Sequence, residues 1–149
     1  VKVGVTRAVQ MRTRWIDQGA SSAIVLARTE NRFLAGQIEV VLKNYLNDKT
    51  NYRKMLSNDE EDVDLLAKKH ELSEHLEGDL KTYVSQDNEI NKFEYPVDHY
   101  PLKVNSLNLD KVQEIEKELI GIRGQYLIFS DNSVLNIRAS TGAKVRVSI

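Results

Sequence analysis

The spacing of apolar and polar positions predicts the elements of the first third of the chain. Alternation around Lys2 predicts a short strand over residues 1–5. Apolar residues recur at helical spacing over residues 8–18, and Gly19 is placed to end that helix. Residues 22–27 are apolar on both faces, which indicates a second, buried strand.

The strongest helical periodicity lies over residues 31–47, and either Thr29 or Asn31 can cap this helix. We expect the helix to pack on a sheet made by the two strands. The apolar positions recur at steps of three and four residues: Phe33, Leu34, Ile38, Val41, Leu42, Tyr45 and Leu46. A second helix is predicted over residues 58–77, because Ser57 and Glu60 form a capping-box pattern and Gly78 can end it. Its apolar stripe is thin, so we expect a peripheral, charged helix.

The last third of the sequence is typical of β-structure. Strand-like runs separated by turn pairs predict an antiparallel β-meander or partial barrel, at residues 119–122, 125–129, 134–139 and 143–148. The fold class is therefore α+β, with an N-terminal α/β layer in which helices pack on a short sheet. We expect an α/β region over residues 1–80 and a β-rich region over 81–149, or one continuous domain.

Composition narrows the functional classes. The chain of 149 residues contains no cysteine, which excludes a disulfide framework and thiolate zinc sites within it. No apolar run approaches the roughly 20 residues that a membrane span needs, so we expect a cytoplasmic protein without a membrane partner. The chain begins in a strand-like run without an initiator methionine, so we expect a processed or truncated product.

The charges are unevenly distributed along the chain. Residues 1–56 carry ten basic and four acidic side chains, a net charge of +6, and residues 57–149 carry eleven and eighteen, a net charge of −7. The overall charge of −1 argues against a general polyanion binder. A phosphate-facing surface is therefore expected in the first third.

Two polar residues of the first third are candidates for chemistry. Glu39 stands in an otherwise apolar run, where a carboxylate is costly unless it has a partner. It is interpreted either as a metal or phosphate-site ligand, or as a helix-edge carboxylate paired with Lys43 or Arg14. Asn51 follows in the next turn, where it either contributes to a site or caps the following segment.

Several segments resemble an uncharacterised bacterial and archaeal family classed as a domain of unknown function. In the first third they are Lys2-Val-Gly-Val-Thr-Arg7, Arg14-Trp-Ile-Asp-Gln-Gly-Ala20, Asn31-Arg-Phe-Leu-Ala-Gly-Gln-Ile-Glu39 and Asp48-Lys-Thr-Asn-Tyr-Arg-Lys-Met-Leu56. Near the C-terminus they are Gly121-Ile-Arg-Gly-Gln-Tyr-Leu-Ile-Phe129 and Val134-Leu-Asn-Ile-Arg138. The resemblance covers both ends of the chain.

The first third is also similar, more distantly, to the GIY-YIG nuclease superfamily. Gly4 matches the glycine of its second motif. The resemblance implies that Arg14 is the catalytic arginine with Arg12 as its rival, that Glu39 binds Mg²⁺ or Mn²⁺, and that Asn51 orients the site. Phosphate contacts are assigned to the neighbouring polar and basic residues Thr6, Arg7, Arg12, Lys49 and Arg53.

Lys2 stands where the superfamily has the tyrosine of its second motif. Three hypotheses follow from the sequence. The first is a metal-dependent phosphodiesterase acting on nucleic acid. The second is a nucleic-acid-binding module without catalysis. The third is a structural or protein-interaction domain that uses its acidic helix and its β-region to dock a partner that the sequence does not identify.

Overall fold

The computed structural model describes residues 1–46, 51–112 and 114–148. Within these ranges, five α-helices and six strands follow one another, in the order of one helix, one strand, four helices and five strands. A two-stranded and a four-stranded sheet accompany the helices, which confirms the predicted α+β class. None of the helices in the described part of the chain has both the length and the hydrophobicity that crossing a bilayer requires.

The N-terminal strand that we predicted over residues 1–5 is wrong. These residues join no sheet, because Val3 instead packs against an apolar cluster formed by two helices. The helix predicted over residues 8–18 is confirmed: a 3₁₀ turn, Ala8–Gln10, leads directly into α1, Met11–Asp17. Gly19 follows with a φ of +68°, a conformation that glycine adopts without steric cost.

A short antiparallel ribbon joins two segments that are far apart in the sequence. Strand β1, Ser22–Ile24, pairs with β2, Ile90–Lys92. The strand predicted over residues 22–27 is therefore shorter than expected, and one isolated bridge, Ala27 to Val84, continues beyond it. Its burial is also uneven, since Ala23 is buried between two half-buried neighbours.

Helix α2, Arg32–Lys43, begins after Asn31, whose side chain accepts a hydrogen bond from the Leu34 amide. The predicted helix is thus confirmed with an earlier end. It does not rest on a sheet as expected. Its buried residues Ile38 and Leu42 pack against Leu72 and Leu76 from a later helical segment of the chain.

The prediction of a helix over residues 58–77 is wrong for its first half, where the chain is not helical. Helix α3, Tyr52–Leu56, ends just before Ser57, and the Ser57 hydroxyl donates back to the Arg53 carbonyl. Asn58 then has a φ of +54°, which interrupts any helix. Asp64 accepts from the Ala67 amide and so caps α4, Leu65–Ser73.

Beyond α4 the chain makes one more helical turn. Gly78, predicted to end a helix, instead has a φ of +55° and precedes the short helix α5, Asp79–Thr82.

The four-stranded sheet has the order β3-β6-β5-β4. Strands β4 (Leu119–Arg123), β5 (Tyr126–Phe129) and β6 (Ser133–Asn136) form the predicted antiparallel meander. Strand β3, Asn105–Leu107, adds a parallel pairing to β6 that the sequence did not predict.

Two of the predicted C-terminal strands differ from the structure. The strand predicted over residues 134–139 ends at Asn136, because its side chain caps the 3₁₀ helix Ile137–Ser140. The strand predicted over residues 143–148 is wrong, since those residues are exposed and belong to no strand.

Candidate functional site

The three residues expected to catalyse a reaction lie on three different elements. Arg14 is exposed on α1. The Glu39 carboxylate on α2 pairs with the Lys43 ammonium one turn later, at 3.7 Å. Asn51 accepts hydrogen bonds from the Arg53 and Lys54 amides, at 3.2 and 3.3 Å, and so caps α3. In the described part of the chain, no hydrogen bond or ion pair joins these three side chains.

The surroundings of Glu39 do not fit Mg²⁺ or Mn²⁺. These ions prefer several oxygen ligands, whereas the nearest charged partner of Glu39 is the Lys43 ammonium. Within the described ranges, no group of three or more His, Asp or Glu side chains is arranged to hold a metal ion. In the structure, Glu39 forms a helix-edge ion pair with Lys43. This was one of the two interpretations of the sequence.

The expected phosphate contacts have different environments. Arg7 and Arg12 are exposed, and the Thr6 hydroxyl donates to the Arg7 carbonyl. The Arg53 guanidinium donates to the Val104 carbonyl at 3.4 Å, so it also stabilises the fold. Lys49 lies outside the described residues.

A basic and aromatic surface forms around α1, and we call it the α1 patch: Arg12, Arg14, Trp15 and Phe93. The Trp15 and Phe93 rings lie with their centroids 6.0 Å apart and their planes inclined at 56°. The Arg12 guanidinium lies over the Phe93 ring, 5.8 Å from its centroid. Both rings are only half-buried, so part of each aromatic surface faces solvent.

Among the described residues, the arginines in α1 and just before it have no acidic ion-pair partner. Arg7, Arg12 and Arg14 make no ion pair with any other described residue. Their charge is therefore not neutralised by a bound carboxylate, and it is available to an external anion. Exposed Asp17 and Glu94 lie nearby in the sequence, and neither is paired with these arginines.

Backbone contacts hold the two halves of the α1 patch together. The Phe93 amide donates to the Ser21 carbonyl at 2.9 Å, which continues the β1–β2 ribbon. The Tyr95 hydroxyl donates to the Ala20 carbonyl at 2.8 Å, directly after α1. Phe93 is therefore fixed against α1 although it lies far away in the sequence.

Arg123 is a buried cation that the sequence did not reveal. Its side chain is 1% exposed, and it forms a 2.5 Å ion pair with Glu60. The same guanidinium donates to the Gly19 and Met55 carbonyls, at 3.0 and 2.8 Å. It thereby ties the ends of α1 and α3 to strand β4.

Two tyrosine rings enclose this guanidinium, Tyr95 at 5.2 Å and Tyr100 at 5.6 Å. Burial raises the pKa of the Tyr95 hydroxyl to about 12, and the nearby Arg123 charge opposes part of that rise. Tyr95 therefore remains a protonated donor to the backbone at the end of α1. No local pattern in the sequence marked Arg123, because its partners Gly19, Met55 and Glu60 lie in distant segments.

One comparison with known proteins gives a match. A family model described as Protein of unknown function (DUF2797) matches residues 1–145. No curated protein and no solved structure matches the chain. Similarity to the GIY-YIG superfamily is not shown by any of these comparisons. The resemblance to an uncharacterised family is thus confirmed.

Proposed function

This chain belongs to the family of proteins of unknown function DUF2797, and we propose that it binds single-stranded nucleic acid through the α1 patch without cleaving it. The observation that carries this proposal is the half-exposed pair Trp15 and Phe93, with Arg12 on one ring and no carboxylate paired to the arginines. Bases stack on aromatic rings whatever their identity, and arginines contact the phosphates between them.

Single strands are favoured over duplexes by the shape of the α1 patch. The two rings are inclined to each other on one end of α1, where they offer faces for unstacked bases. A duplex keeps its bases stacked internally and exposes only their edges in the grooves. The α1 helix is seven residues long, which is short for an element that reads a major groove.

The contacts of Glu39 and Asn51 favour binding over phosphodiester cleavage. The Glu39 carboxylate pairs with Lys43, and the Asn51 side-chain oxygen is occupied by two backbone amides. In the described residues, neither the Glu39 side chain nor the Asn51 side chain forms a hydrogen bond or an ion pair with Arg14. A metal-dependent phosphodiesterase stays a prediction of the resemblance alone.

The proposal is tested by the salt dependence of binding. Fluorescence anisotropy with a labelled oligothymidine should give a log–log slope of roughly −1.4 if the two arginines of the α1 patch each release about 0.7 counterions on a single strand. Arg12→Ala should weaken binding and make this slope less steep by about 0.7. Lys103→Ala, an exposed cation outside the α1 patch, is the matched control and should leave both unchanged. An affinity that does not depend on salt would exclude phosphate contacts.

Phe93→Leu separates stacking from charge. Leucine retains apolar contact with Trp15 but offers no aromatic face, so binding should weaken by the roughly 1–3 kcal/mol that stacking one base contributes. The slope against salt should not change. Equal affinity of Phe93→Leu and the native protein would show that the ring is not part of the interface.

A further inference from the structure

A polar cleft lies on another part of the molecule, where α3, β3, β5 and the 3₁₀ helix after β6 meet. It has a volume of about 310 Å³ and shares no residue with the α1 patch. Aromatic and hydrogen-bonding side chains form its walls, among them Tyr52, Tyr126, Ser106, Asn108, Asp110 and Ser140.

Two parallel tyrosine rings form one wall of the cleft. The Tyr52 and Tyr126 centroids are 5.6 Å apart, and the ring planes differ by 3°. The Arg53 guanidinium lies over the Tyr52 ring at 5.5 Å and donates to the Val104 carbonyl. Because Tyr52 is held between Arg53 and Tyr126, this wall is rigid before any ligand arrives.

Several hydrogen-bonding groups that line the cleft are not used by the rest of the described chain. The side chains of Tyr52, Ser106, Asp110 and Ser140 form no hydrogen bond with another described residue, although they line one cleft. Asn108 uses only its oxygen, which accepts from the Asp110 amide at 2.8 Å. That bond shapes the turn and leaves the Asp110 carboxylate without a protein partner.

We propose that this tyrosine cleft binds a neutral, polyhydroxylated ring, either a free sugar or the ribose of a nucleoside. The Asp110 carboxylate can only accept hydrogen bonds, and two adjacent hydroxyls of such a ring are suitable donors. Serine and tyrosine hydroxyls both donate and accept, as the remaining hydroxyls of the ring require. Of the two stacked rings, the outer face of Tyr126 is the one left for the C–H groups of the ligand.

The charge and size of the cleft restrict its ligand further. Among the described residues that line the cleft, Asp110 is the one charged side chain. The nearby Arg53 guanidinium is directed to the Tyr52 ring and the Val104 carbonyl, so the lining itself offers an anionic ligand no cation. Ligand pockets usually measure about 300–1,000 Å³. A cleft of about 310 Å³ is at the lower end of that range and suits one ring rather than an oligosaccharide.

Saturation-transfer NMR on the whole chain tests this proposal with three probes: D-ribose, adenosine and 2′-deoxyadenosine. We expect transfer to the ribose ring protons, and weaker binding of 2′-deoxyadenosine because it lacks one of the two adjacent hydroxyls. Transfer to ribose and to adenosine alike would show that the sugar suffices, and transfer to adenosine but not to ribose would identify a nucleoside. No transfer to any probe would overturn the proposal.

A pair of isosteric variants locates the binding. Asp110→Asn should weaken adenosine binding at least about tenfold, which corresponds to the loss of one charge-assisted hydrogen bond. Asp98→Asn, at an exposed carboxylate that does not line the cleft, should bind as the native protein does. Unchanged binding by Asp110→Asn would also overturn the proposal. Adenosine binding that Phe93→Leu weakens and Asp110→Asn does not would place the base on the α1 patch and overturn the proposal, so the two sites are distinguished.

Discussion

Replacing Arg123 by methionine removes every donor of the buried guanidinium while it keeps a long apolar stem in place. The native side chain serves the Gly19 and Met55 carbonyls, the Asn58 side-chain oxygen at 3.2 Å and the Glu60 carboxylate. After the change, the first three oxygens lose this donor in a region where water has little access. The Glu60 side chain, which is 32% exposed, can turn towards solvent.

The expected loss of stability follows from these contacts. A buried polar group without a partner costs about 1–3 kcal/mol, and removing one member of a buried ion pair costs about 3–5 kcal/mol in total. The apolar stem of methionine and the partial exposure of Glu60 offset part of this, so we expect a decrease of about 4 kcal/mol in the free energy of unfolding. For a chain of this length, that lowers Tm by roughly 8–16 °C.

Urea unfolding and calorimetry measure this effect, and two variants control it. Glu60→Gln keeps all three neutral acceptors of Arg123 but leaves the buried cation without a counter-charge, so it should cost about 3 kcal/mol, less than Arg123→Met. Arg138→Met makes the same substitution at an exposed arginine and should change stability by no more than about 0.5 kcal/mol. If Arg123→Met costs less than about 1 kcal/mol, the guanidinium does not tie α1, α3 and β4 together.

Two other predictions concern pH and catalysis. The Lys117 ammonium and the Ser133 hydroxyl hold the pKa of Asp131 at about 2, below its ordinary value of 3.8. The ionised carboxylate therefore stabilises the fold above pH 3.8 and loses this effect as pH falls towards 2, so Asp131→Asn should show a smaller decrease in Tm over that interval; an identical decrease would contradict this assignment. Incubated with single-stranded or plasmid DNA and Mg²⁺ or Mn²⁺, the protein should leave the DNA intact, as should Glu39→Ala. Cleavage by the native protein that Glu39→Ala abolishes would instead establish the phosphodiesterase.

The sequence predicted the elements that depend on local patterns. The periodicity of α2 and the capping residue Asn31 lie within one segment, and both are present in the structure. The β4–β5–β6 meander was likewise predictable, because tight turns join neighbouring runs of strand-forming residues. The prediction of a strand over residues 1–5 was wrong because a strand depends on a partner strand and not on local pattern alone. Val3 packs against helices instead.

The features that carry function depend on contacts between distant segments. A capping box at Ser57 and Glu60 predicted a helix, but Glu60 is 63 residues from its partner Arg123, and that ion pair belongs to a non-helical turn. Phe93 likewise meets Trp15 only because the β1–β2 ribbon brings residues 22–24 and 90–92 together. A tryptophan next to an arginine was the available signal in the sequence, but its aromatic partner could not be read from it.

The most direct test of the α1 patch uses Trp15, which is the one tryptophan in the sequence. Its fluorescence reports on this surface alone, so titration with unlabelled oligothymidine at low salt should quench the emission as bases stack on the ring. Added salt should reverse the quenching, and Arg12→Ala should require a higher oligonucleotide concentration for the same effect. If oligothymidine binds while the Trp15 emission stays unchanged, or if no binding occurs at low salt, the proposed nucleic-acid interface is wrong.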